Sequence, residues 1–528
     1  LLLSSALLLI PAAYLLGALL PWPGHPGRAR WPLSLGAASA GVVLAAAAGI
    51  ALLTGDVAPA PIGGGLATRL DGLTVTMLLL VTVIAGLILR FSRRYLDGEA
   101  GLERYQRSFL ATMAATTLLV VTNHLLVLGL AWIATSIALH QLLTFYGDRP
   151  EALVAAHKKF LLSRLADLAI MGGVVLIGQT SGTYAIDEIV ALAATRTAFP
   201  LAMELGGVLL AVGVLLRSAQ LPFHGWLIQV MEAPTPVSAL LHAGVVNIGG
   251  FVLIRLGGLV GRLDAAQSVL VVVGTLTAVL ASLVMTTRVS VKVSLAWSTC
   301  AQMGFMLLEC GLGAYGLALL HLVAHSLYKA HAFLSSGRAV EQQLQRTLAP
   351  AARAASLGGW AVAALASAAV VGAVARIVGI DLAAEPATAA ITVVAALALA
   401  PLLLRVPHQP PSQAWRLVGA AIGLATLYGL GHALVGPLVP TVPPEIAHAW
   451  VRAGVVIAAF VALYGIQAAI LSRPTGRLAR ALYPACFAGF YFDEIFTRLT
   501  FRLWPPRTPV ARSSAAPSTT HPVFERAA

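Results

Sequence analysis

The chain has 528 residues, 59% hydrophobic and only 10% charged, with a formal net charge of +13 and a mean hydropathy of +0.87. Soluble domains carry about a quarter charged residues, so a soluble globular fold is excluded and helices of bilayer length are expected. The positive charge forms no long basic run with interleaved aromatics, which argues against a nucleic-acid surface and fits cytoplasmic loops beside anionic lipid.

In chain order, apolar runs predict about fifteen transmembrane helices, at 1–20, 33–54, 71–90, 109–122, 124–145, 161–180, 203–221, 237–257, 266–287, 292–311, 316–336, 357–380, 388–405, 416–437 and 449–471. The first run lacks a basic n-region and a small-residue cleavage site, so it reads as a span rather than a signal peptide. The segment after Pro484 holds Asp493, Glu494, Arg498 and Arg502 and predicts an interfacial or partner-facing helix. The tail from Arg507, rich in Ser, Thr, Pro and Ala, predicts disorder.

Charge alternates between successive loops. With the N-terminus outside, the cytoplasmic loops carry Arg28, Arg30, Arg93, Arg94, Arg104, Arg107, Arg149, Lys158, Lys159, Arg288, Arg338, Arg346, Arg353, Arg473, Arg477 and Arg480. The opposite loops carry Arg69, Arg196 and Arg262 beside acids such as Asp187, Asp264 and Asp381. This alternation predicts a cytoplasmic C-terminus. The three cysteines, Cys300, Cys310 and Cys486, form neither a metal motif nor a disulfide framework. No cofactor, metal site or enzyme chemistry is expected in this chain.

Ionisable residues at membrane depth are costly and mark ion paths. Residues 217–256 combine Arg217, Glu232 and His242 with Pro222, Pro234 and Pro236. Each proline removes a backbone donor, and the freed groups must find partners in protein or in a wet cavity. A broken helix beside ionisable groups is a candidate ion or substrate site. Guanidinium does not deprotonate in proteins, so Arg217 is a fixed charge, and Glu232 is expected to pair with it or with a lysine across the bundle.

The stretch HLVAHSLYKAHAFLSSG places His321, His325 and Lys329 four residues apart. On a helix they share one face at about 6 Å intervals. Such a row can pass protons, because imidazole accepts at one nitrogen and donates at the other. His331 lies on another face as a candidate second branch. Lys292, opening the preceding span, is either a relay member or a snorkelling anchor. His140 either carries protons or bonds within the core. Arg164 and Asp167, three apart, are expected to form a structural ion pair.

RSAQLPFHGWLIQVMEAPTPVSALLHAG, KVSLAWSTCAQMGFM and HLVAHSLYKAHAFLSSG occur in that order, with FAGFYFDEIFTRL near the end. Together they resemble the signature segments of the antiporter-like family, which includes the proton-pumping membrane subunits of respiratory complex I and the Mrp-type antiporters. The likeness covers roughly residues 65–340. It implies an all-α polytopic membrane protein with antiporter-like inverted five-helix repeats. The expected divisions are N-terminal helices (1–108), a first repeat with the broken helix (109–257) and a second repeat with the His/Lys row (258–405). C-terminal helices (406–483), the interfacial helix (484–506) and the tail (507–528) follow.

The resemblance carries proton-path roles to Lys329, His325, His321 and His242, and matches Lys292 to the lysine opening its motif. Arg217 stands where complex I subunits have a lysine, and Ile133 where they have a glutamate. The resemblance therefore implies that the charge pair between those two helices is absent. No proline marks a second broken helix in 357–380, and the long lateral helix of the largest complex I subunit does not follow FAGFYFDEIFTRL. Within the family, the wording is similar to membrane subunits of two-component inorganic-carbon systems. That likeness implies an inner-membrane, proton-translocating subunit in a heteromeric complex. Its partner would be a soluble zinc subunit resembling a β-carbonic anhydrase, with the zinc held there. The alternatives are a proton-pumping subunit of a complex I-like NADH-quinone oxidoreductase and a subunit of a multicomponent Na+/H+ antiporter.

Overall fold

An apolar chain in lipid must satisfy its backbone polar groups internally, and helices do so within one segment. The computed structural model describes residues 6–20, 31–55, 60–62, 66–147, 149–230, 233–338, 355–439 and 448–503. Helices α1 (Leu9–Leu19) and α2 (Trp31–Thr54) precede a two-stranded antiparallel hairpin, β1 (Ala60–Ile62) and β2 (Leu66–Thr68). Then come α3 (Gly72–Tyr95), α4 (Leu102–Val121), α5 (Leu125–Leu143), α6 (Pro150–Ser181), α7 (Ile186–Thr195) and α8 (Leu201–Arg217). The middle of the chain forms α9 (Gly225–Gln229), α10 (Thr235–Ala243), α11 (Ile248–Arg255), α12 (Gly257–Val260), α13 (Asp264–Met285), α14 (Val291–Gly311) and α15 (Tyr315–Leu334). The last helices are α16 (Leu357–Val378), α17 (Pro386–Leu403), α18 (Pro411–Val435), α19 (Ala449–Ser472), α20 (Arg477–Phe487) and α21 (Phe492–Leu503).

Each predicted span coincides with one of these helices or with an interrupted one. Among the described residues, ten helical segments are long and apolar enough to cross a bilayer. Helices α1 and α8 are shorter, and α4, α14 and α15 carry polar side chains along an otherwise apolar length. The hairpin was not expected from the apolar pattern. It stitches one end of the bundle, where the Arg69 amide donates to the Val121 carbonyl at 2.8 Å and Thr68 bridges to Thr122.

Two helix pairs pack with their backbones in contact. A Cβ at Gly173 of α6 would lie 2.7 Å from the Gly206 carbonyl oxygen of α8. One at Gly274 of α13 would lie 2.6 Å from the Gly304 carbonyl oxygen of α14. Without a hydrophobic drive between helices in lipid, such close approach maximises dispersion contact, and only glycine admits it here. One continuous core runs from Leu7 to Phe333. Helices α16–α19 join it at the edge through smaller clusters and leave Trp415, Leu427, Leu434 and Val451 exposed, as lipid-facing surfaces would be.

The prolines break the central helix as expected. The chain turns through 218–224 after α8, forms the short α9, and restarts at α10 with Pro234 as its N-cap and Pro236 in its first turn. A 3-10 turn at Val245–Asn247 separates α10 from α11. This interrupted segment, Thr235–Arg255, is 89% buried, against 67% for the next most buried candidate span. Irregular backbone is thus enclosed by protein, where its polar groups find partners. Glu232 and the tail from Arg507 lie outside the described residues.

Two expectations need correction. Pro484 does not start the C-terminal helix but lies inside α20; the break comes at Gly489–Tyr491, where Phe490 and Tyr491 take positive φ. Lys158 and Lys159 are not loop residues. Helix α6 begins at Pro150, two turns before them, and both lysines are buried in the bundle.

Candidate functional site

The first cluster forms on α5, α6 and α8. Arg164 and Asp167 pair as expected, Nη2 to Oδ2 at 2.8 Å. Asp167 has a second partner, because its Oδ1 accepts from Nη2 of Arg217. Arg217 also donates to the Trp132 carbonyl at 3.2 Å and lies over the Trp132 ring, 5.5 Å from its centroid. Ile133 leaves α5 without an acid for Arg217, and Arg217 takes its partner from α6 instead. The reason is packing. Gly213 of α8 presses on Ala166 and Ile170 of α6, so Arg217, one turn further, meets Asp167.

Lys159 was missed as a site residue. Its Nζ donates to the carbonyl and to Oγ of Ser136 on α5, both at 2.9 Å. Lys159, Ser136, Trp132, Arg217 and Trp226 line a cavity of about 20 Å³, room for one water. The signal was available: Pro150 at the first helical position places Lys159 well inside an apolar helix.

The broken segment reaches into the second half. His242 on α10 is fully buried; its Nδ1 lies 3.0 Å from Thr299 Oγ1 on α14. Its ring stacks on Phe333 of α15 with centroids 4.4 Å apart. Asn247 donates from Nδ2 to Ser326 Oγ of α15 at 2.7 Å. These contacts join the proline-broken helix to the His/Lys row.

That row lies along α15. Lys329 is 0% exposed, and its Nζ donates to the Leu295 carbonyl at 3.0 Å and to Ser298 Oγ at 2.9 Å, both neutral acceptors on α14. His325 is buried one turn away, and the His321 and His325 ring centroids are 5.9 Å apart. His321 Nδ1 lies 2.8 Å from Oε2 of Glu309, a 2%-exposed carboxylate near the end of α14. Glu309 was also missed, although an acid within GFMLLECG carries the same membrane-depth signal as the histidines.

The remaining expected residues sit outside this row. Lys292 is half-exposed in the first turn of α14. His331 is exposed and lines an open basin with Arg90, Arg93 and Arg94. His140 is half-buried in the last turn of α5, its ring 5.3 Å from Phe160. No group of three or more His, Cys, Asp or Glu side chains among the described residues could hold a metal ion.

The C-terminal helix docks on the broken segment. Lys158 Nζ donates to Asp493 Oδ1 and to Thr497 Oγ1 of α21, each at 2.6 Å. Gln229 of α9 donates from Nε2 to Asp493 Oδ2 at 2.9 Å. Asp493 sits directly over Gly225, where a Cβ would fall 1.5 Å from its Oδ1.

The chain has known relatives. Residues 122–375 match the family described as "NADH:quinone oxidoreductase/Mrp antiporter, TM", and residues 64–106 match "NADH-Ubiquinone oxidoreductase (complex I), chain 5 N-terminus". A chain of the Mrp complex from Dietzia shares the fold, with a TM-score of 0.58 at 22% identity; the match covers 97% of this chain and 58% of the Mrp chain. The "Probable inorganic carbon transporter subunit DabB" of Hydrogenovibrio crunogenus is 39% identical over 96% of both chains. The "Probable inorganic carbon transporter subunit DabB2" of Halothiobacillus neapolitanus is 38% identical over 84% of this chain and 81% of its own length. The chain belongs to the antiporter-like family of membrane subunits shared by complex I and Mrp, and within it to the DabB subunits.

Proposed function

We propose that this chain is the ion-translocating membrane subunit of an energy-coupled inorganic-carbon pump, and that the ion is a proton. The observation carrying this reading is the row Lys329–His325–His321, with Lys329 and His325 buried, His242 packed beside it on Phe333 and Glu309 at its end. Lysine and imidazole exchange protons between neighbours with small movements, and neither cation attracts Na+. In the first half, the Asp167–Arg217 pair supplies fixed charge beside Lys159, since guanidinium keeps its proton. The inorganic-carbon part of the reading rests on the names of the DabB relatives.

The partner is a DabA-like soluble zinc subunit that hydrates CO2. Proton flow through this chain makes that hydration one-way, so bicarbonate accumulates in the cytoplasm. The protein lies in the cell inner membrane with about fifteen spans in inverted repeats, its N-terminus outside and its C-terminus in the cytoplasm. Lys329→Ala tests the reading. In cells carrying both subunits, the variant should lose about tenfold or more of bicarbonate accumulation. Its partner should still co-purify with it. Accumulation at the wild-type level would overturn the proposed role.

A further inference from the structure

A proton row must end at water, and α16 offers no end group. Its one charged residue, Arg376, is exposed and cannot exchange a proton. Glu309 stands differently. Its Oε2 lies 2.8 Å from Nδ1 of His321 on one side, and on the other it faces an open cavity of about 570 Å³ between α13, α14, α15, α17, α18 and α19. Gln302, His321, Tyr428 and Gln467 give that cavity polar lining. The Tyr428 hydroxyl is buried there beside Thr392. The rest of the lining is mostly apolar, so water would be held at this polar group of side chains rather than throughout the space.

We propose that Glu309 is the proton-exchange group at the outer end of the row, and that this cavity is its access to water. The inference rests on the proton-translocating reading above and adds to it an end group and a route. Charge distribution along the sequence puts the α14–α15 turn on the non-cytoplasmic face. Lys329 lies eight residues past His321, about 12 Å deeper along α15. A proton from cavity water binds the Glu309 carboxylate and passes to Nδ1 of His321. His321 then releases the proton on its Nε2 towards Nε2 of His325, which hands it on to Lys329. Both Nε2 atoms are buried without hydrogen-bond partners among the described residues, and with the rings 5.9 Å apart the transfer between them takes a ring rotation or a bridging water. Ring reorientation restores the starting tautomer after each passage, and no proton is gained or lost.

A purely structural Glu309–His321 pair would tolerate glutamine, which keeps a hydrogen bond to the ring. The test therefore uses Glu309→Gln and Glu309→Asp in the full chain with its partner subunit, in cells, with bicarbonate accumulation followed across external pH. Glu309→Gln should lose about tenfold or more of the accumulation while the partner co-purifies. Glu309→Asp should keep part of it with a displaced pH profile. Wild-type accumulation in Glu309→Gln overturns the proposal. If Lys329→Ala still stops accumulation in that case, the pump reading stands and only the end group is wrong. If neither variant has an effect, the pump reading falls with it. Should Glu309→Gln fail to assemble, carbodiimide treatment of the wild-type complex decides. The reagent attacks protonated carboxyls, so mass spectrometry should find Glu309 modified, and an unmodified Glu309 overturns the proposal.

Discussion

At the scale of single residues, several buried charges of this bundle are held in ion pairs, while Lys159 and Lys329 donate to neutral acceptors. Asp167 serves two guanidinium groups at once, and the side chain of Arg217 is only 9% exposed. Removing one partner of such a pair strands the other and costs about 3–5 kcal/mol, more than the pair itself contributes. Asp167→Asn should therefore lower the detergent-solubilised melting temperature by several degrees. The double variant Asp167→Asn, Arg217→Gln should recover much of the loss, because the stranded charge is gone. Equal melting temperatures for Asp167→Asn and wild type would show that Arg217 finds its stabilisation elsewhere. Arg255 is held by the same logic near the hairpin. It donates to Asp71 Oδ2 and Thr74 Oγ1, each at 2.6 Å, while Arg69 reaches the same carboxylate oxygen at 2.7 Å.

At the scale of elements, the broken helix and the C-terminal helix form one unit. Helix α9 is five residues long and could not hold its position alone. It is held by Asp493 through Gln229 and by the Phe223–Phe496 ring contact at 5.4 Å. Nearby, Arg288 donates to the carbonyls of Cys486 and Phe487 at 3.0 and 2.8 Å, satisfying groups at the end of α20. Gly225 is required because Asp493 occupies the space of any side chain there. Gly225→Val should lift α20 and α21 from the bundle. Cys486 is 4% exposed, and Cys300 and Cys310 are buried deeper in the core. Maleimide labelling should then rise at Cys486 in the variant while the other two cysteines stay protected. Unchanged labelling at Cys486 would show that the C-terminal helices are held independently of this contact.

At the scale of the whole molecule, two glycine-packed helix pairs, α6–α8 and α13–α14, each carry part of a buried polar cluster. The proline-broken segment follows α8 of the first pair directly, reaches α14 of the second through His242, and reaches α15 through Asn247. The proton-coupled pump proposed above requires a gradient. A protonophore added to cells that contain this chain and its partner should reduce bicarbonate accumulation about tenfold or more. Accumulation that persists after the gradient collapses would exclude a proton-driven pump.

Composition, apolar periodicity and proline placement were enough to find the helices, the broken segment and the row on α15, because each depends on local chemistry and on the 3.6-residue repeat. The order of motifs was enough to find the family. What the sequence could not show were partners from distant parts of the chain. Asp167 opposite Arg217, Glu309 opposite His321 and Asp493 opposite Lys158 are brought together by helix packing, and no local pattern encodes those distances. Lys159 was hidden for a related reason: charge counting places lysines in loops, whereas a helix that starts at Pro150 and tertiary burial placed this one inside the bundle. The chemistry of each residue was therefore determined by the sequence, and its assignment to a pair, an end group or a surface was decided only by the packing of the helices.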